Sequence, residues 1–326
     1  MPKFCRHNRL LQNCPICSRE QEVELRPLVS SSAPRVAEPR PRAATPARER
    51  AARPGARAGV TVRRVRTAID DGYRTPLAPG LKSSEEGRRL AEELAFAATR
   101  LDVLRSDPPG LYAEVASDGD LEERSWLAFL IAYLSPLEED DPFAGIAAVR
   151  TSWASGELPD LADARTGPRT AHDPARGART LEAYRAWAGR SGSQAAAFGG
   201  EPGWTPERRF ARAFERLALP GMHRGPRFDL LATLGSLGAY ELRAGALGLV
   251  GDDQVTVAAK RALGIGDQLL LERRAAQLAE ACGFPLEALD LGFENWERGE
   301  RVTAGLGPGA EPDPAHVESA LAALDL

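Results

Sequence analysis

The sequence predicts a mainly α-helical protein. From residue 84 onward apolar residues recur three and four apart, the spacing of one helix face. Asp120 and Asp253 stand at segment starts and Pro136 at a segment end, residue types that start and stop helices. No stretch shows the strict alternation of a half-buried strand.

Ser84 to Arg105 places Leu90, Leu94, Ala97, Leu101 and Leu104 on one stripe. Asp120 opens the next helix, with Glu123 three residues on as its capping-box partner. Its apolar stripe is Leu127, Leu130, Ile131 and Leu134, and Pro136 ends it. Residues 155–178, rich in Gly, Pro, Asp and Arg, read as a loop. Further helices are expected near 179–189, 205–218, 227–234, 239–250, 254–263, 268–282, 285–296 and 315–324. Four regions follow: a Cys/His module over 1–20, a Pro/Arg-rich basic linker over 21–83, a helical domain over 84–304, and a spacer with a short helix over 305–326. The linker has almost no large apolar groups, so it is expected to be disordered.

Net charge is −4, which by itself speaks against nucleic acid. The charge is uneven, however. The stretch from Arg26 to Arg66 carries eleven Arg against Glu38 and Glu49, or +9, which leaves −13 on the remainder. Such an arm supplies sequence-independent attraction to phosphates. The 39 arginines against three lysines read first as genomic composition. A helix that spans a bilayer needs roughly 20 consecutive apolar residues. No apolar run in the chain approaches that length, and the N-terminus lacks the apolar stretch of a secretory signal. Three of the four cysteines, Cys5, Cys14 and Cys17, cluster near the N-terminus. That usage suits a metal site better than disulfides, and a cytoplasmic protein is expected.

Cys5, His7, Cys14 and Cys17 give the spacing C-x-H-x6-C-x2-C. These are four ligands suited to tetrahedral zinc, with a C-x2-C turn presenting two thiolates to one ion. The set leaves no open position, so a structural Zn2+ knuckle is expected, its fold supplied by the metal.

The stretch Arg227 to Asp267 is the most informative. A helix carrying Phe228, Leu230, Leu231 and Leu234 runs into Leu234-Gly235-Ser236-Leu237-Gly238, and a second helix is expected at once. Glycines three apart permit a tight hairpin whose bare N–H groups suit a phosphate. Gly251-Asp252-Asp253 then opens another helix. There Asp253 caps, and Asp253, Thr256 and Lys260 share a face. An ionised carboxylate at a helix N-terminus can stabilise positive charge at a sugar's anomeric carbon. The same two acids also suit plain capping, and both readings stand at this point.

On these residues the chain resembles the helix-hairpin-helix DNA glycosylases, with Gly221 to Pro226 similar to that family's approach loop. The segments 122–137, 258–267 and 289–296 resemble the alpha-glutamyl/putrescinyl thymine pyrophosphorylase-like branch, which is linked to hypermodified pyrimidines in phage DNA. The resemblance covers about residues 90–300. It implies a helix-hairpin-helix, DNA-glycosylase-like helical domain behind the zinc knuckle. It also implies double-stranded, modified phage DNA as partner, with no membrane involved. Catalysis falls to Asp253 or Asp252 with Lys260, and DNA contacts to Gly235, Ser236, Gly238, Thr256 and Arg261. Tyr133, Ser135, Asp140, Asp141, Asn295 and Trp296 would line the base pocket, with Glu138 and Glu139 beside them. Where lyase members carry a lysine this chain reads Ala239-Tyr240-Glu241, so no lyase step is expected. The family's aspartate lies closer to its following arginine than Asp253 lies to Arg261, which keeps Asp252 in play.

Three functions remain open: excision of a bulky modified pyrimidine in antiphage defence, installation of a hypermodified thymine, or DNA binding without catalysis. His172, His223 and His316 receive no role, and Cys282 on an apolar face reads as core.

Overall fold

The computed structural model describes residues 70–326. The four expected zinc ligands and the rest of the chain up to residue 69 lie outside the described residues. Among the described residues there are helices and no strands. In chain order the helices are α1 Ser84–Ser106, α2 Leu111–Ala116, α3 Leu121–Leu134, α4 Ala144–Val149, α5 Gly177–Arg190 and α6 Gln194–Gly199. There follow α7 Pro206–Arg216, α8 Arg224–Ser236, α9 Gln254–Leu263, α10 Gln268–Cys282, α11 Ala288–Arg298 and α12 Pro314–Ala323.

Two helices organise the core. In α1, Ser83 Oγ accepts the Glu86 N–H at 3.1 Å, and acids fill the first turn. Both are favourable at a helix start. The helix buries Leu90, Leu94, Phe96, Leu101 and Leu104 against α8, α11 and α12. In α3 every residue from Ser125 to Leu134 is buried, so this helix runs through the interior. Trp126, Phe129 and Tyr133 stack along one side of it. Tyr184 from α5 joins them, its ring centroid 3.7 Å from that of Phe129.

Local signals were reassigned by tertiary neighbours. Asp120 caps α3 as expected, accepting the Glu122 N–H at 2.8 Å. Glu123 does not close a capping box. Its carboxylate accepts the N–H groups of Trp153 and Ala154 at 2.8 and 2.9 Å. Residues 70–83, assigned to the linker by sequence, belong to the packed body. Thr75, Ala78, Leu81 and Ser83 are buried, and the Gly80 N–H donates to the Ala262 carbonyl at 3.0 Å.

The expected helix over 239–250 is absent. Helix α8 ends in a Schellman-type closure, with Gly238 in the left-handed region. The Gly238 N–H donates to Gly235 O at 3.2 Å, and the Ala239 N–H reaches Leu234 O at 3.1 Å. The chain from 237 to 253 then crosses the surface without helix. Carboxylates from elsewhere take its amides: Glu272 accepts Leu247 and Leu249 at 2.8 and 2.6 Å, and Glu287 accepts Ala244 at 2.6 Å. Leu242, Ala244, Leu247 and Leu249 are buried, so burial and backbone satisfaction are met without a helix. A two-helix hairpin does occur among the described residues, further on. Helix α9 turns through Gly264-Ile265-Gly266 into α10, which Asp267 caps.

The two glycines of 234–238 therefore serve packing and turning. A Cβ on Gly235 would lie 2.4 Å from Leu242 O, whereas one on Gly238 would meet nothing but sit at positive φ. Gly235→Ala should lose on the order of 1–3 kcal/mol as overpacking, and Gly238→Ala about 1–2 kcal/mol as left-handed strain. Thermal melts should show both losses, and a wild-type melt for Gly235→Ala would contradict the close crossing.

Candidate active site

The site begins where α3 ends. A helix leaves its last carbonyls without internal partners. Here the segment 167–171 satisfies them: Gly167 N–H donates to Leu134 O and Ser135 O, both at 3.0 Å, and Ala171 N–H donates to Tyr133 O at 2.9 Å. Ser135 sits at φ 62° and its hydroxyl accepts the Arg169 N–H at 3.3 Å. This zipper points the Arg169 side chain into the interior.

There Arg169 meets three carboxylates: Asp290 at 2.6 Å, Glu294 at 2.8 Å and Asp229 at 3.3 Å. The second oxygen of Asp290 binds Arg224 at 2.5 Å. Arg224 is the first residue of α8. Its Nη1 donates to Leu247 O at 3.0 Å and its Nε to Asp253 Oδ1 at 3.0 Å. At the other end Asp229 faces Arg100 at 3.5 Å, and Arg100 donates to the Tyr112 hydroxyl at 3.0 Å. Arg298 pairs with Glu294 at 2.7 Å. A continuous chain of charge, ended on one side by the neutral Tyr112 hydroxyl, thus crosses the core from Arg100 to Asp253. Its members alternate in sign, the arrangement that offsets the cost of burying ions.

Asp253 ends that chain at a cavity of about 190 Å3. Its side chain is 29% exposed, and it caps α9, accepting the Thr256 hydroxyl at 2.6 Å and the Thr256 N–H at 3.3 Å. Burial works against its charge, but the Arg224 guanidinium and the Thr256 hydroxyl outweigh it and hold the carboxyl below its usual range. Arg169, Thr170, His223, Asp229 and Glu294 share the lining. Burial pushes the His223 imidazolium pKa down, so the ring is neutral near pH 7. Glu294 is ionised for the same reason as Asp253: burial opposes its charge, and Arg169 and Arg298 prevail.

The expected residues divide clearly. Of the two candidate acids, Asp253 lines the cavity, while the Asp252 side chain is 97% exposed beside Lys260. Lys260 turns away as well, its ammonium donating to Gly251 O at 3.0 Å. Thr256 is buried and engaged by Asp253, which removes it from any DNA surface. Arg261 lies 3.9 Å over the Trp296 ring and pairs with Glu297 at 2.9 Å. Gly235 lies inside α8, and Ser236 is its last residue. The amides of Leu237, Gly238 and Ala239 are consumed by the helix end and offer phosphate nothing.

The pocket assignments are corrected likewise. Tyr133 belongs to the aromatic stack, its hydroxyl 3.3 Å from His172 Nδ1. Ser135 acts one step back, through Arg169. Asn295 exchanges hydrogen bonds with the Val302 backbone, and Trp296 donates to Glu86 O, so both are buried structural groups. The acids after α3 do not line the cavity. Glu138 accepts Thr303 N–H and hydroxyl, Glu139 pairs with Arg165, Asp141 accepts the Phe143 N–H at 3.1 Å, and Asp140 is exposed. Cys282 is core, its thiol pushed up to about 12 by burial.

Sequence reasoning missed Arg100, Arg169, Arg224, Asp229, Asp290 and Glu294. A signal existed: Asp290 and Glu294 stand four apart within the otherwise apolar face of α11, which is uncommon unless the acids are paired. A larger groove of about 680 Å3 between α2 and α3 has polar groups that pair among themselves, such as Arg150 with Glu114 and Glu123 with Ser152. Among the described residues no His, Cys, Asp and Glu cluster has the makings of a metal site, and no helix is long and apolar enough to cross a membrane. Comparison with family models, with curated proteins and with solved structures finds no match for the chain.

Proposed function

We propose that the chain is a monofunctional DNA glycosylase that releases a modified pyrimidine from phage DNA and leaves an abasic site. The observation that carries this reading is Asp253: a carboxylate held ionised at a helix N-terminus, opening onto a small cavity. In glycosidic cleavage the bond electrons leave with the base and positive charge develops on the sugar. A fixed carboxylate stabilises that charge and orients the attacking water. His223, neutral, supplies a hydrogen bond at the same cavity wall. Among the described residues no lysine lines the cavity, so no Schiff base is expected and the strand should stay intact.

Small-molecule sites usually enclose roughly 300–1,000 Å3. At about 190 Å3 this cavity is smaller. It suits one flipped ring, with any bulky substituent left at the mouth. The acids at 138–141 do not line the cavity, so selection of that substituent is not assigned to them. DNA attraction is assigned to the arginine arm over 26–66. The surface grip is assigned to the Gly264–Gly266 hairpin, beside which the apolar Leu269 and Leu270 stand exposed. This hairpin follows Asp253, the reverse of the order that the resemblance implies. The antiphage role rests on the resemblance alone.

Wild-type protein incubated with hypermodified phage DNAs should create abasic sites and no nicks, and should spare unmodified DNA. Binding without release on every modified DNA would leave an adaptor. A requirement for an activated pyrimidine and an amine co-substrate would instead mark installation of the base. The Cys5, His7, Cys14 and Cys17 set is further proposed to hold one structural zinc. Protein purified without chelator should contain about one equivalent, and metal analysis finding none would end that assignment.

A further inference from the structure

We infer that Asp290 is the positioning residue of this site: one buried carboxylate that ties both walls of the cavity together. The inference rests on the reading of Asp253 as the reacting carboxylate. Asp290 does not itself line the cavity; its side chain is 3% exposed. Oδ1 takes Nη2 of Arg224 at 2.5 Å, and Oδ2 takes Nη2 of Arg169 at 2.6 Å. Each arginine leads to a different wall. Arg224 aims its Nε at Asp253 Oδ1 at the start of α9, and Arg169 carries the 168–170 segment that faces it.

Among the described residues, the other side-chain and backbone hydrogen-bond partners of the Arg224 guanidinium are Asp253, the group it aims, and the Leu247 carbonyl. Its Nη1 bond to Leu247 O fixes one nitrogen, but that carbonyl sits on the non-helical 237–253 crossing. Without Asp290 a buried guanidinium would lose its most buried counter-charge and turn toward other acceptors. Buried charges are held by partners and hydrogen bonds, so removal of one partner reorients the other. Glu294 cannot substitute, because Arg169 and Arg298 already occupy it at 2.8 and 2.7 Å.

The test reads the Arg224 Nε–H directly. In nitrogen-labelled full-length protein, this hydrogen-bonded group gives a slowly exchanging signal, assigned by its loss in Arg224→Lys. In Asp290→Asn, with overall helicity unchanged, its exchange should quicken by about tenfold or more. The kcat for base release should fall about tenfold, with KM within about twofold, since ground-state binding is untouched. If Asp290→Asn alone does not fold, the charge-balanced pair Asp290→Asn/Arg169→Gln is measured for the same change. Wild-type exchange in the folded variant would overturn the assignment. Faster exchange in a protein whose wild type releases no base would keep Asp290 as the tie and remove the glycosylase reading.

Discussion

Asp253→Asn should abolish base release by on the order of a hundredfold or more while DNA binding persists, the scale expected when a preorganised charge stabiliser is removed. The amide keeps the size of the carboxylate and one acceptor oxygen, so Thr256 and Arg224 retain contacts and the fold should hold. What disappears is the negative charge at the cavity wall. Asp252→Asn is the companion control. Its side chain stands in water, so near wild-type release is expected. Single-turnover rates of abasic-site formation separate the two. Full activity in Asp253→Asn would show that the reacting acid has been misidentified, and loss confined to Asp252→Asn would transfer the role to a residue outside the cavity.

The second large effect concerns stability. Arg169→Met should cost roughly 3–5 kcal/mol near pH 7, the range for removing one partner from buried ion pairs. The substitution leaves Asp229, Asp290 and Glu294 facing an apolar side chain. Each then keeps a single arginine: Arg100, Arg224 and Arg298 respectively. The pH dependence has a definite sign. In the wild type Glu294 is held below its ordinary range, so its contribution is present above the unfolded pKa and is lost as pH falls through the folded one. In the variant the arginine that did most to oppose desolvation is gone, so burial moves the carboxyl upward from its wild-type position. The penalty then belongs to the charged form, and it should shrink as pH falls from 7 toward 5 and a proton binds. Urea denaturation at the two pH values measures this. A penalty that grows on acidification would mean that the carboxylates are not the destabilised groups. A loss this large is unusual for one substitution. Among the described residues no other arginine contacts three such acids.

The same residues show how far a linear reading reaches. Helix starts were legible where a capping side chain acts on its own backbone: Asp120 for α3 and Asp253 for α9 accept N–H groups within three residues. The apolar stripes of α1 and α3 were legible for the same reason, since periodicity is a local property. Asp253 as the candidate acid followed from its cap. The choice between it and Asp252 did not, because exposure of 29% against 97% depends on what packs across the turn.

Where local and long-range satisfaction compete, the sequence alone did not decide. Residues 239–250 carry enough apolar spacing for a helix, yet Glu272 and Glu287 take the amides that a helix would have used. Glycines three apart suited a phosphate-binding hairpin, yet Gly238 closes a helix end and Gly235 admits Leu242 O. The site's charges come from α1, α8, α11 and the segment at 169, far apart in the chain. Each of the arginines looks like an ordinary surface residue until the fold buries it. By itself the sequence determined a helical chain, the caps of α3 and α9, and two adjacent candidate acids, of which the fold half-buries the Asp253 carboxylate. The tertiary structure decided which buried partners surround that carboxylate, because pairing of buried charges is set by distance in space, and residues 100, 169, 224 and 290 meet only after the helices pack.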